Sequence, residues 1–285
     1  MLIELKNVNF TYMPNTPLAQ RALKNVNFSV EVGEFVGLIG PTGSGKSTFV
    51  QHLNGLLKPL EGEVLVEGKR MGEEISPFLV RRKVGLVFQF PENQLFEETV
   101  SRDVAFGLHN LGWAEDEIEK RVRSVLEMVG LDYCKFKDRS PFTLSGGEMR
   151  RVAIAGVLAM NPSCLILDEP ASGLDSIGKR EILANLERLN KENNLTIILI
   201  SHDMDEISRL AGRLVVLNEG RIEFDGSPRK VFSLRDDLIK IGLDTPEFTS
   251  LLVALKKGGL DVPLDLFELN EVKDAIVSVL KRRGS

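Results

Sequence analysis

The stretch Gly40-Pro41-Thr42-Gly43-Ser44-Gly45-Lys46-Ser47-Thr48 leaves a chain few folds to adopt. It satisfies the pattern G-x-x-x-x-G-K-[ST], and its surroundings give the pattern meaning. Before it, Phe35-Val36-Gly37-Leu38-Ile39 is a short apolar run of the kind that forms a buried strand. After it, Phe49, Val50, Leu53, Leu56 and Leu57 mark one face of a helix. Strand, glycine loop and helix in that order gather backbone N–H groups and the positive end of a helix dipole around one anion. Gly40, Gly43 and Gly45 permit the sharp turn and close approach to phosphate. Lys46 adds a point charge for the outer phosphates, and Ser47 a hydroxyl for Mg²⁺. A plain glycine-rich turn before a helix would need neither the lysine nor the hydroxyl.

Around this centre the pattern alternates. Residues 2–5, 7–11, 24–31 and 63–67 are β-prone and predict an antiparallel patch beside the phosphate-loop strand, with Tyr12 at the Pro14–Pro17 turn. Residues 83–88 predict a strand ending at Gln89. A helical insertion then spans about 91–143; its strongest helix opens at Glu115-Asp116-Glu117, buries Ile118, Val122, Val125, Leu126 and Val129, and stops at Gly130. The helix after Leu144-Ser145-Gly146-Gly147-Glu148 carries Met149, Val152, Ala153, Gly156, Val157 and Met160. Strands at Cys164–Leu167 and 195–200 flank a helix over 176–192. Apolar strands alternating with helices predict a parallel sheet covered on both faces, closed by a hairpin over 215–224. Ser227-Pro228 and Thr245-Pro246 read as N-cap and N1 pairs opening C-terminal helices, the last bearing Val272, Ile276, Val279 and Leu280. The expected division is a core over 1–228 and a helical unit over 229–285.

Composition narrows the partners. A net charge of −5 over 285 residues implies no general affinity for nucleic acid. Basic runs such as Arg81-Arg82-Lys83 are short enough to be solvated faces. No apolar run approaches the roughly 20 residues that span a bilayer, and Met1-Leu2-Ile3-Glu4-Leu5 does not look like a signal peptide. Two cysteines, Cys134 and Cys164, make no disulfide framework. A membrane role therefore has to come through other polypeptides.

Polar residues at strand ends collect at one edge of an open α/β sheet, where ligands bind. Gln89, Asp168, Glu169 and His202 all stand at such ends. Asp168 is placed to hold Mg²⁺ and Glu169 to polarise an attacking water. An Asp-Glu pair that ends a strand also serves to cap a turn, and a lone histidine or glutamine is more often structural. It is the company of a phosphate loop that favours chemistry. Ser145, Gly146 and Gly147, at a helix N-terminus, make a second anion site.

The segment 144–148 resembles the signature of ATP-binding-cassette (ABC) proteins. The order of Tyr12, phosphate loop, Gln89, helical insertion, signature, the Walker B strand 164–169, Ser172-Gly173-Leu174-Asp175 and His202 is similar to that family over residues 1–228. Glu148 and Arg150 depart from it, where glutamine is common. The resemblance implies a P-loop NTPase fold: a mainly parallel core, an antiparallel β subdomain, a helical insertion and here a C-terminal helical extension. It implies ATP and Mg²⁺ as ligands, with Ser47, Gln89 and Asp168 near the metal, Tyr12 on adenine, and His202 at the terminal phosphate. It implies two subunits, identical or homologous, stacked head to tail so that each ATP lies between one loop and the other signature. Phe88-Gln89-Phe90-Pro91-Glu92-Asn93-Gln94-Leu95-Phe96 looks like the segment in energy-coupling factor (ECF) ATPases. The expected partners are then a transmembrane coupling subunit contacted near Gln89–Phe96 and a small substrate-binding membrane subunit. The expected place is the cytoplasmic face of the cell membrane, and the cargo a vitamin or transition-metal ion. The ATPase of another importer shares the core motifs. A soluble ABC ATPase of DNA or ribosomes would need coiled coils, zinc modules or a second cassette, which this chain lacks.

Overall fold

The computed structural model describes residues 1–267 and 269–283. The first third runs β1 (Ile3–Tyr12), β2 (Gln20–Val30), β3 (Phe35–Ile39), α1 (Lys46–Leu53), β4 (Glu61–Val66), β5 (Lys69–Arg70), α2 (Pro77–Lys83) and β6 (Val84–Val87). A 3₁₀ turn at Pro91–Gln94 opens the helical insertion, α3 (Val100–Asn110), α4 (Glu115–Met128) and α5 (Tyr133–Phe136). The chain then alternates through α6 (Gly146–Ala159), β7 (Cys164–Asp168), α7 (Ser176–Asn193), β8 (Thr196–Ile200) and α8 (Met204–Leu210). β9 (Arg213–Asn218) and β10 (Arg221–Gly226) form a hairpin, and α9 (Pro228–Ser233), α10 (Arg235–Lys240), α11 (Glu247–Lys257) and α12 (Leu269–Arg283) follow.

Among the described residues the strands form two sheets. The larger has the order β10-β9-β3-β8-β7-β6, parallel except for the β9–β10 hairpin. The smaller is antiparallel, β2-β1-β4-β5, and forms the expected antiparallel patch as a sheet of its own. The larger sheet separates two apolar cores, and alternate residues of each central strand serve one or the other. Phe35 and Ile39, Leu165 and Leu167, Ile197 and Leu199 face the helical side. Val36 and Leu38, Cys164 and Ile166, Ile198 and Ile200 face α1 and the antiparallel sheet. With both faces buried, the strand sequence is apolar without interruption.

Helix ends follow the expected chemistry in most places. α4 buries the face read from its periodicity, and Gly130, with φ +78°, accepts the left-handed position after it. Ser227 caps α9 with Pro228 at its first position. Thr245 does not cap: Pro246 holds the N-cap position, and the Thr245 hydroxyl turns to Ser250 at 3.4 Å. α6 also differs from its predicted face. Only Val152 of the six expected residues is fully buried; Arg150, Ile154, Ala155, Leu158 and Ala159 are buried instead. The helix is packed by α3, α4, β6 and the Pro91–Gln94 turn, so no single stripe describes it. α2 has no counterpart in the sequence reading, because a two-turn helix with Val80 as its buried residue shows no period. Val231, Phe232, Leu238 and Leu243 join the helical-side core, while Leu252, Val262 and Val272 centre a separate cluster.

Candidate nucleotide site

β3 delivers the chain to the loop. At Gly40 a Cβ would collide with the Leu217 carbonyl, and at Gly45, with φ +103°, it would lie 2.6 Å from the Ala22 carbonyl. Both positions are closed to any side chain. Lys46 Nζ donates to the Gly40 and Pro41 carbonyls at 2.6 and 3.0 Å, so the ammonium lies against the loop it serves. Burial pushes its pKa down, and the Asp168 and Glu169 carboxylates work against that. Ser44 is buried, and its Oγ has no protein partner.

Asp168 closes β7. Burial, then the neighbouring Glu169 charge, raise its pKa, opposed by Lys46, by a hydrogen bond with Ser47 and by His202. Glu169 follows with φ +50°, its N–H bonded to the Ile200 carbonyl at 3.0 Å. Its two carboxylate oxygens are held separately: His202 Nε2 donates to one at 2.8 Å and Gln89 Nε2 to the other at 3.4 Å. Residues from three adjacent strand ends thus meet at one carboxylate, as expected of one sheet edge. Tyr12, at the end of β1, is fixed by a 3.0 Å hydrogen bond between its hydroxyl and Thr48 and by edge contact with Phe10.

Tyr12, Thr42, Gly43, Gly45, Lys46, Ser47, Thr48, Gln89, Asp168, Glu169 and His202 line one open cleft of about 530 Å³. That is the size of a drug- or nucleotide-sized pocket. The sequence reading missed part of the wall: Gln20, Arg21, Ala22 and Lys24 of β2, and Glu219-Gly220 of the β9–β10 turn. The Lys24 N–H donates to the Gly220 carbonyl at 2.8 Å, and the Gly220 N–H to that of Ser44 at 2.9 Å. No local signal announces this wall; only the hairpin packing against β2 and the loop makes it.

Ser145, Gly146 and Gly147 are not among the lining residues. Ser145 caps α6 in a reciprocal capping box, its N–H donating to Glu148 Oε2 at 2.8 Å and its hydroxyl to the same oxygen at 2.9 Å. The backbone hydrogen bond from Ser145 holds the Glu148 carboxyl below its usual range, against a smaller rise from burial.

The ABC transporter family model matches residues 23–172, which include the loop, Gln89, the signature and Asp168-Glu169. The energy-coupling factor transporter ATP-binding protein EcfA2 of Clostridium perfringens is 49% identical over 285 residues, spanning all of both chains. The EcfA2 protein of Clostridioides difficile is 50% identical, over 100% of this chain and 99% of its own. Among solved structures, cbiO1 from Clostridium perfringens, part of the ABC transporter complex cbiONQ, matches with a TM-score of 0.74 at 38% identity, covering 84% of this chain and 94% of that one. A dimeric ATP-binding cassette in a post-hydrolysis state with ADP and Pi gives 0.70 at 34%, covering 79% and 98%. The chain belongs to the ABC transporter family and carries that family's ATPase fold. Along its whole length, C-terminal helices included, it is like the ATP-binding subunits of energy-coupling factor transporters.

Proposed function

We propose that this chain is the ATP-hydrolysing subunit of an ECF importer, peripheral on the cytoplasmic face of the cell membrane and driving uptake of a vitamin or transition-metal ion. One observation carries this most: the chain's two phosphate-binding groups do not share a cleft. Two subunits, copies or homologues, stack head to tail and place each ATP between the loop of one and Ser145–Gly147 of the other. ATP joins them, and its hydrolysis loosens the joint. In each site Tyr12 stacks on adenine, and the loop from Gly40 to Thr48 holds the phosphates, with Lys46 on the outer ones. Ser47, Gln89 and Asp168 suit Mg²⁺, since all offer oxygen and the first and last are already hydrogen-bonded. Bound there, Mg²⁺ offsets negative charge on the phosphate oxygens. Glu169 orients the attacking water and accepts its proton, and His202 and Gln89 hold that carboxylate in place. The ATPase unit, expected over 1–228, takes in α9 and α10 as well, whose Val231, Phe232 and Leu238 join its core, and α11 and α12 are appended to it.

The membrane connection lies beside the site. Phe88, Phe90, Phe96 and Phe106 are exposed although large and apolar, and Leu95 and Pro91 anchor their segment inward. A groove of about 340 Å³ runs along Leu56, Leu86, Phe88, Phe96, Phe106 and Met160. An exposed apolar groove of this kind receives a short helix, here from the transmembrane coupling subunit, which also holds the substrate-binding subunit. Co-purification from membranes tests the reading. Phe96→Asp is expected to keep its melting behaviour and bind ATP, yet to lose the coupling subunit and uptake. Phe96→Ser, without a new charge near Asp103, serves as the folding control. Normal association and uptake in Phe96→Asp would remove the groove from the mechanism.

A further inference from the structure

One buried guanidinium joins three parts of the cassette. Arg150 on α6 is only 3% exposed. Its Nε and Nη2 donate to the two oxygens of Glu92 at 3.0 and 3.1 Å. Its Nη1 donates to the Pro170 carbonyl at 3.1 Å and to the Ser172 carbonyl. Glu92 sits in the Pro91–Gln94 turn, in sequence between Phe90 and Phe96, both exposed. Pro170 and Ser172 lie on the turn that follows Glu169 and leads to Asp175, the N-cap of α7. The Ser172 N–H bonds back to the Glu169 carbonyl at 3.2 Å.

A charge is a costly way to fill such a place. Packing alone would be met by an apolar side chain, often with no loss of stability. A guanidinium does something an apolar group cannot. Its planar fork fixes a carboxylate on one edge and backbone carbonyls on another, in one rigid plane. With the guanidinium itself out of water, the part-buried Glu92 cannot shift without stretching charge-assisted bonds or dragging the turn behind Glu169 with it. The direct route, from Gln89 to Glu169, is a single contact at 3.4 Å. The route through Arg150 is doubled at both ends.

We infer that Arg150 is a positioning residue that ties the partner-facing Gln89–Phe96 segment to the turn setting Glu169, so that movement of a docked membrane subunit reaches the hydrolytic carboxylate. This rests on the reading of that segment as the docking surface. Its rival is a staple that only holds the fold.

The test uses the purified chain and the full complex reconstituted in vesicles, reading melting, KM and kcat for ATP, assembly, and uptake per ATP. Arg150→Lys keeps the charge but not the fork, and Arg150→Gln keeps a planar donor group but removes the charge. For both, the expected result is near-normal assembly and a KM within about twofold, with kcat lowered about 10- to 100-fold, the scale of a slightly misplaced reacting group. Glu92→Gln cuts only the partner end, so it should cost uptake per ATP more than it costs the isolated chain's kcat. A staple predicts the reverse ordering: a loss confined to melting and rescued by lysine, with wild-type kcat and uptake per ATP in whatever folds. That pattern overturns the inference. If Arg150→Gln fails to fold, Arg150→Lys decides by the same readings. Normal assembly and uptake in Phe96→Asp overturns the docking surface and the route together. Loss of assembly in Phe96→Asp with unchanged uptake per ATP in the Arg150 variants overturns the route alone.

Discussion

Glu169 occupies a left-handed backbone position that non-glycine residues rarely adopt. Such a conformation costs on the order of 1–3 kcal/mol and persists where surrounding contacts over-determine it. Here they are the backbone bond to Ile200 and the side-chain contacts from His202 and Gln89. A turn cap has no need of such provision, whereas a base that must face one water does. Glu169→Gln preserves shape and hydrogen bonding but removes the proposed proton acceptor. Its turnover is expected to fall at least ~10²-fold, the scale of a general base, while ATP binding persists and the closed dimer accumulates. Single-turnover hydrolysis and size-exclusion chromatography with ATP read both effects, and near-normal turnover would remove Glu169 from that role. The residues meeting here were legible because each ends an apolar strand. Arg21, Lys24 and Glu219 were not, since they join the cleft through a hairpin contact between distant parts of the chain.

Between elements, the Glu92–Arg150 pair makes a pH-dependent link from the Pro91–Gln94 turn to α6. Burial pushes the Glu92 carboxyl up, but hydrogen bonding and charge from Arg150 reverse this and leave it below its ordinary value of 4.5. A carboxylate depressed in the folded state stabilises the fold above its unfolded pKa, and loses that contribution as pH falls through the folded value. Wild type should therefore exceed Glu92→Gln by about 1–3 kcal/mol at pH 7, the range for a charge-assisted hydrogen bond. The gap should begin to close near pH 4.5 and vanish in stronger acid. Denaturant unfolding across that range measures it, and a gap independent of pH would mean that the carboxylate charge is not what binds the two elements. The elements themselves were readable where a period had room to show, as in α4. They were not where two turns are too few, as in α2, or where a helix is gripped from several sides, as in α6. A buried arginine is the kind of residue a periodic reading sends outward, since charged side chains are almost never fully buried unless paired. Its partner Glu92 lies on another element, which no local pattern can reveal.

For the whole molecule, the signature lies outside the cleft, and the proposed head-to-tail pairing would make a subunit incomplete alone. Lys46→Ala disables one chain's loop and Ser145→Arg the other chain's signature. Mixed, they rebuild one intact site per pair if each site draws on both chains, so up to about half of wild-type turnover should return, wherever one site can fire alone. Activity that merely averages the two inactive chains would count against shared sites. The sheet order has a consequence in time. β3, which carries the loop, is paired on its two sides with β8 and β9, both from the last third of the chain. Until those strands leave the ribosome, β3 has no neighbours in its sheet, and only its Val36 and Leu38 face, turned to α1 and the antiparallel sheet, has early residues to cover it. Contacts so distant in sequence form slowly and expose sticky surface meanwhile. A phosphate loop written early in the message can thus grip phosphate only when translation is nearly over.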